Sequence, residues 1–461
     1  MLILKLPMKK KTFICFVLIS LFSYGQFIGN YVFSNPQIVS DNSAFGLDRP
    51  RIVVPESGLP LVMWTSTNDK KIYVSLFNGT DFDEPQSILP DGFDFYGNQN
   101  YGPEIDCNEN FISIVFHNSL NGVNSVYFIF SNNGGLTFSE PIKIIEEQNF
   151  IEGAGIHIDS NNNPILTYET FISADSVNQF VSFGQFTDDD SGVLFNLPLI
   201  ANKNTLGVPC ECCLGSLASN DENIIFSYRN NINNVRNMYS CSYNILNQEF
   251  DSGFLIDSYS QSLSVCPTEG PKSYLTNNFL VNSFKSYAYS PARIATSIVD
   301  LNNNQIVYES EVDWGVGYGV QSLPEIAGND NAFAIVWKEF RYYNFDVFIS
   351  IGASPSNEFL PIIETSLSVS SSAPNSQTAN DFTAVDIEEY NGVFHVVYLD
   401  YNDNIIFYRN IANENFANSL DFVKAKNIIG TFDIYGRPSF KGKFEIDIFD
   451  DGTSKKKFVL D

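Results

Sequence analysis

Residues 59–64 read LPLVMW, an apolar run closing on an aromatic, Trp64, and six later stretches repeat the form: FISIVF at 111–116, NPILTY at 163–168, NIIFSY at 223–228, FLVNSF at 279–284, AFAIVW at 332–337 and VFHVVY at 393–398. The closing aromatics (Trp64, Phe116, Tyr168, Tyr228, Phe284, Trp337 and Tyr398) are spaced by 52, 52, 60, 56, 53 and 61 residues. A short alternating strand and an Asn/Asp/Gly turn precede these runs. A polar loop and a third strand follow, as in KIYVSLF at 71–77, SVYFIFS at 125–131, NMYSCSY at 237–243 and DVFISIG at 346–352. A fourth strand carries F-x-x-P, from Phe82 to Pro85 and from Phe138 to Pro141. Four antiparallel strands in every repeat of this length describe a propeller blade. A tandem of sandwich domains needs roughly 100 residues per unit, longer than this period.

The ends of the chain fit a closed ring. Phe33-Ser34-Asn35-Pro36 copies the fourth-strand signature without three strands before it, and the repeat around Tyr398 lacks a clear fourth strand. Residues 30–40 are therefore expected to complete the last blade and remove its exposed edge. The expected fold is an all-β propeller of seven four-stranded blades, with six as the fallback.

Composition agrees with that fold and bounds the partners. Of 461 residues, 44% are hydrophobic and 15% aromatic, including 41 Phe and 23 Tyr. That is apolar material for a large core, which excludes a disordered chain. The 26 basic residues face 53 acidic ones, a net charge of −27. Phosphate binding needs a basic stripe, so nucleic acid is excluded as a partner.

The two ends read as addresses. Lys9-Lys10-Lys11, an apolar run from Thr12 to Phe22 and then Ser23-Tyr24-Gly25 form a secretory leader, cut after Gly25, with Met8 as an alternative start. The run is too short to span a bilayer, and Cys15 lies inside it, not at its end, which argues against a lipid anchor. The division expected is leader 1–25, propeller 26–423 and tail 424–461. Seven of the Lys lie between Lys424 and Lys457, reversing the charge of the acidic body.

Ser131-Asn132-Asn133-Gly134-Gly135-Leu136-Thr137-Phe138 resembles an Asp-box, the S-x-D-x-G-x-T-W hairpin of sialidases and related propellers, with Asn133 at the Asp position. Its structural residues are Ser131, Asn133, Gly135, Thr137 and Phe138: Gly allows positive φ, the Ser and Asn side chains bond the turn, and the aromatic packs between sheets. The blade pattern over residues 30–420 resembles the sialidase-like superfamily. Residues 210–239, with VCPTEGP after them, resemble bacterial secreted propellers loosely labelled sialidase-like. The tail, with Phe432-Asp433-Ile434-Tyr435-Gly436-Arg437 and the ending FEIDIFDDGTSKKKFVLD, resembles the C-terminal sorting segment of the type IX secretion system of Bacteroidetes. That resemblance implies export by the type IX machinery to the outer surface or medium. The alternative is an extra hairpin on the propeller.

A site is expected where second-to-third-strand loops share a rim with blade-to-blade loops. The residues after the seven aromatics are Thr65, His117, Glu169, Arg229, Lys285, Lys338 and Leu399, five of them ionisable. Arg49, Arg229, Arg236, Arg293 and Arg341 fall in or beside these loops, as do Phe95, Tyr96, Tyr101, Trp314, Tyr318, Tyr342 and Tyr343. Arg offers a planar fork for a carboxylate, and aromatic faces stack on sugars or cations. The ligand-binding set is therefore Arg49, Arg229, Arg236, Lys285, Arg293, Lys338 and Arg341. The competing reading has these Arg pair with Glu169, Glu339, Asp346 and Asp400 and pin the loops.

Sialidases hold the ligand carboxylate with three Arg, so the resemblance also implies an acidic sugar. Their R-I-P motif is replaced here by Asp48-Arg49-Pro50-Arg51. Glu169 with Tyr342 or Tyr343 are the candidates for the family's acid–nucleophile roles, though no spacing enforces that pairing.

Six Cys follow the leader. Cys210, Cys212 and Cys213 sit in one loop and Cys266 in the next, which points to a disulfide from one of the three to Cys266. A zinc or copper(I) site is the alternative. All three His (His117, His157 and His395) belong to other blades, so no metal or other cofactor is expected. Cys107 and Cys241 read as strand residues. Asp188-Asp189-Asp190 and Asp450-Asp451 lack calcium-loop spacing and read as solvated turns.

The function expected is an exported binding module for an acidic glycan or other anionic ligand at the channel mouth. The alternatives are a glycoside hydrolase of sialidase type and a scaffold docking other envelope proteins.

Overall fold

The computed structural model describes residues 31–355, 367–368, 382–400, 403–413, 428–432, 444–449 and 454–458, apart from positions 67, 96, 98–99, 148, 174–175, 188–191, 260, 265–266, 313–318 and 342–343. The leader, Cys266, Asp188–Asp190, Asp450–Asp451, Tyr96, Trp314, Tyr318, Tyr342 and Tyr343 lie outside these residues, as do the Arg341 side chain and most of the tail. No α-helix occurs among the described residues.

Seven antiparallel sheets follow one another along the chain. Blades one to six span residues 48–87, 104–147, 150–200, 208–255, 272–311 and 321–368. The seventh spans 382–413 and takes its outer strand from the N-terminal end of the described chain. Tyr31–Phe33 and Gln37–Ser40 both pair with Ile405–Asn413, with Phe33 opposite Ile411 and Gln37 opposite Tyr408. Around Ser34 the junction is clasped: Ser34 N–H donates to Asn410 O (2.9 Å), and Arg409 Nε donates to Ser34 O (2.9 Å). The expected seven blades and N-terminal closure are therefore both present.

The repeating motif is explained by where the second strands lie. A blade packs against a neighbour on each face, so its second strand is buried on both sides and becomes a continuous apolar run instead of an alternating one. Leu61, Val62, Met63 and Trp64 are all 0% exposed. All seven repeat aromatics are buried on the second strands. Seven apolar clusters form, one per joint. The joint between blades seven and one, with Val397, Leu399 and Tyr408 against Ile52, Val62 and Trp64, completes the ring.

Hairpin turns follow the Asn/Gly pattern. Asn391 (φ 51°) and Gly392 (φ 83°) form a two-residue turn between Tyr390 and Val393, the type that needs positive φ twice. In the 131–138 turn, Ser131 Oγ accepts from Gly135 N (2.9 Å), while Asn133 Oδ1 accepts from Thr137 N (3.0 Å) and Asn133 Nδ2 donates to Thr137 Oγ1 (2.8 Å). Phe138 packs in the joint of blades one and two.

Blade four departs from the pattern: its first strand, Ser216–Ser219, is short, and Val208–Pro209 adds a second pairing to Ile224–Asn231. In the tail, Ile428–Phe432, Phe444–Phe449 and Ser454–Phe458 form a three-stranded sheet of their own.

Candidate functional site

First strands of the blades line a central channel. In a strand, residues two apart share a face, so Glu104 and Asp106, and Asp386 and Glu388, border a cavity of about 210 Å³ together with His157, Lys272 and Glu325. Arg49 (φ 51°) and Arg51 reach it from a bulge in the first strand of blade one. An ion-pair chain crosses four blades here. Glu104 takes Arg49 and Arg51 (Nε–Oε2 3.1 Å), Arg51 reaches Glu325 (3.3 Å), and Glu325 reaches Lys272 (3.0 Å). Burial alone would push the Glu104 carboxyl up, but Arg49 and Arg51 outweigh it and hold it at about 2. Burial instead dominates at Asp386 and Glu388 and pushes both carboxyls up. The channel cations are thus matched by channel acids.

A second cavity, of about 680 Å³, opens on the rim between blades five and six and the loop before blade five, and shares Asn100, Thr268, Glu269 and Leu323 with the channel. Lys285 and Lys338 stand in the later part of the second strands of blades five (Phe279–Ser286) and six (Ala332–Arg341) and line it with Tyr287, Phe340 and Phe345. Both lysines are buried, 8% and 7% exposed. Lys285 Nζ lies 2.7 Å from Glu269 Oε1 and 5.3 Å from the Tyr287 ring centre. Lys338 Nζ lies 4.0 Å over the Phe345 ring, and Phe340 and Phe345 are 5.0 Å apart. Burial pulls the Lys285 ammonium down, yet Glu269 and Tyr287 more than offset this, so its pKa lies above the usual value. The second carboxylate oxygen of Glu269 accepts from Leu323 N (2.9 Å), joining the loop before blade five to blade six.

Of the ligand-binding set expected from sequence, Lys285 and Lys338 meet at this cavity and Arg49 borders the channel. Arg229 is 0% exposed, and its guanidinium donates to three carbonyls: Glu269 O (3.1 Å), Arg236 O (3.1 Å) and Lys285 O (2.9 Å). Arg236 faces Cys210 Sγ (2.8 Å), Leu263 O (3.2 Å) and Glu211 (3.4 Å). Arg293 faces Gly319 O (3.0 Å), Glu339 (3.4 Å) and Glu311 (3.8 Å). These three guanidinium groups tie blades and loops together beneath the rim. Glu169, also 0% exposed, accepts from Gln179 Nε2 and from Cys212 N (2.9 Å). Phe95 is buried in the joint of blades one and two.

Cys210 and Cys213 are buried with their sulfurs 3.1 Å apart. Cys241 is buried and Cys107 half-buried, both in strands. No group of three side chains suited to a metal occurs among the described residues.

Sequence reasoning missed the channel acids and Lys272. Their signal was present: Glu104-Ile-Asp106 and Asp386-Ile-Glu388 place two acids on one face of a first strand.

No family model matches the chain, and no curated protein sequence matches it. Similar solved structures include an ulvan lyase described as a new family of polysaccharide lyase (13% identity, TM-score 0.49, covering 82% of this chain and 95% of that one). A mutant of NanB sialidase from Streptococcus pneumoniae is 12% identical, with a TM-score of 0.42 and coverage of 82% and 70%. The α-L-arabinanase of Penicillium chrysogenum, complexed with arabinobiose, is 10% identical, with a TM-score of 0.43 and coverage of 83% and 98%.

Proposed function

We propose that this propeller binds an acidic glycan, with one anionic sugar unit seated in the rim cavity between blades five and six. The observation that carries the reading is the convergence of two buried ammonium groups, Lys285 and Lys338, on one cavity walled by Tyr287, Phe340 and Phe345, in a chain of net charge −27. A carboxylate or sulfate would accept from the ammonium groups while the rings cover the apolar face of the sugar. Arg229 stays in the account as a positioning residue, since it holds the backbone of both Glu269 and Lys285.

In the same reading the leader and the basic tail supply the address: export, then passage through the type IX machinery to the outer surface or medium. A panel of uronate-bearing, sialylated, sulfated and neutral oligosaccharides tests it. Binding confined to the acidic members supports the proposal. Equal binding of neutral members overturns the preference for acidic sugars, and silence across the panel beside a stable envelope protein partner replaces the reading with the docking scaffold. Steady release of sugar from a sialoside turns the module into a hydrolase.

A further inference from the structure

Three first strands bring a second constellation together in the channel, away from the rim lysines. Asp106 stands on blade two, His157 on blade three and Ser219 on blade four. Asp106 Oδ2 lies 2.9 Å from His157 Nδ1, and His157 Nε2 lies 2.8 Å from Ser219 Oγ. The carboxylate is itself fixed, since Oδ2 also accepts from Ile158 N and Oδ1 from Cys107 N, each at 2.8 Å. A carboxylate cannot donate, so the imidazole presents Nδ1–H to Asp106 and leaves the Nε2 lone pair for the Ser219 hydroxyl. Asp106 and His157 line the channel cavity, as do Ser216 and Leu217 of the Ser219 strand; Ser219 stands just beyond that lining and is partly exposed.

From this geometry we infer a serine nucleophile: Ser219 is activated by His157, and Asp106 orients the imidazole. Nucleophile, base and orienter each stand within hydrogen-bond reach of the next, the arrangement by which such sites are recognised on unrelated folds. The substrate class is an ester of a short carboxylic acid: an acyl group on Ser219 would lie beside His157, which lines a cavity of only about 210 Å³. Ser219 Oγ attacks the ester carbonyl carbon and its proton passes to His157 Nε2. The C–O bond to the alcohol then breaks, and His157 returns the proton to the departing alkoxide, leaving an acyl-serine. Water, deprotonated by the same nitrogen, cleaves that ester, releases the carboxylic acid and restores Ser219. This activity is independent of the glycan reading, because it uses no group of the rim cavity.

The test is covalent labelling of the purified protein with a fluorophosphonate, mapped by peptide mass spectrometry, beside hydrolysis of p-nitrophenyl acetate. The expected result is one phosphonate per chain on Ser219, with hydrolysis falling to the uncatalysed rate in Ser219→Ala. Asp106→Asn should slow labelling and change its pH profile, whereas a merely structural tie between blades would shift the melting temperature and leave that profile unchanged. A folded wild-type protein that stays unlabelled at Ser219, or Ser219→Ala with undiminished hydrolysis, overturns the inference.

Discussion

Glu269 and Lys285 are joined twice: their side chains pair at 2.7 Å, and Arg229 donates to the backbone carbonyls of both. One residue of the fourth blade thereby fixes a charged pair formed between the fifth blade and the loop that precedes it. The rim cavity is built on that joint, so its shape depends in part on Arg229, which does not itself line it.

Arg229→Lys should therefore act on stability first. A lysine offers one ammonium where three carbonyls now meet a rigid fork, and each buried acceptor left unmet costs about 1–3 kcal/mol. Urea denaturation should show a loss of about 3 kcal/mol. Any fall in glycan affinity should be modest while the protein is folded. Full stability with abolished binding would mean that Arg229 faces ligand.

Glu269→Gln leaves the Lys285 ammonium buried without its carboxylate. Removing one partner of a buried pair costs about 3–5 kcal/mol, and the slight exposure of both groups puts the expected loss at the low end of that range. Replacing both, as Glu269→Gln with Lys285→Met, should recover part of it. A double-mutant cycle in denaturant checks this.

Glu104 makes the acid limb of stability. Its folded pKa of about 2 lies below the ordinary carboxyl value, so its contribution is complete above about 4.5 and is lost as the pH falls toward 2. The shift corresponds to about 3 kcal/mol. Glu104→Gln should lose that much at pH 7 and show a flatter decline between pH 5 and pH 2.

Asp386 has the opposite sign. Burial raises its folded pKa; Glu325 adds to the rise, and Arg51 and Lys272 oppose it. The native state then holds a proton that the unfolded chain has released, so stability falls as pH rises from about 4 toward neutrality. Asn can still accept from Ile52 N–H, which now meets Asp386 Oδ2 at 2.9 Å. Asp386→Asn should therefore flatten this limb, and thermal melts at pH 5 and pH 8 should differ less than in the wild type.

In the 131–138 turn, Gly135 sits at φ 88° and a Cβ there would run into the Leu61 side chain. Gly135→Ala should cost more than Asn133→Ala, which removes three turn hydrogen bonds, with Ser131 Oγ, Thr137 N and Thr137 Oγ1, in a partly exposed turn where each is worth about 1 kcal/mol or less. Melting temperatures of the two variants rank them.

The architecture was legible because burial on both blade faces writes itself into composition: a second strand such as FISIVF has no polar face to hide its place. The lone fourth strand at Phe33–Pro36 was legible because its motif stood without a blade. The candidate site was less legible. Position after the aromatic marks a residue as near the rim, and Lys285 and Lys338 do border a cavity there. It does not say whether a side chain turns toward solvent or into a joint, and a guanidinium with five donors satisfies itself on carbonyls wherever strands end, as Arg229 does. The channel acids were obscured because the apolar runs that mark each repeat lie on the second strands, whereas a first strand such as Phe382–Tyr390 mixes acids with apolar residues.

The most direct measurement is calorimetric titration of Lys338→Met against the acidic oligosaccharide that the wild type binds best. Loss of one charge-assisted contact predicts affinity at least roughly tenfold weaker and a shallower dependence on salt, in a protein that stays folded at the titration temperature. Affinity equal to wild type in a folded Lys338→Met protein would contradict the rim cavity as the binding site.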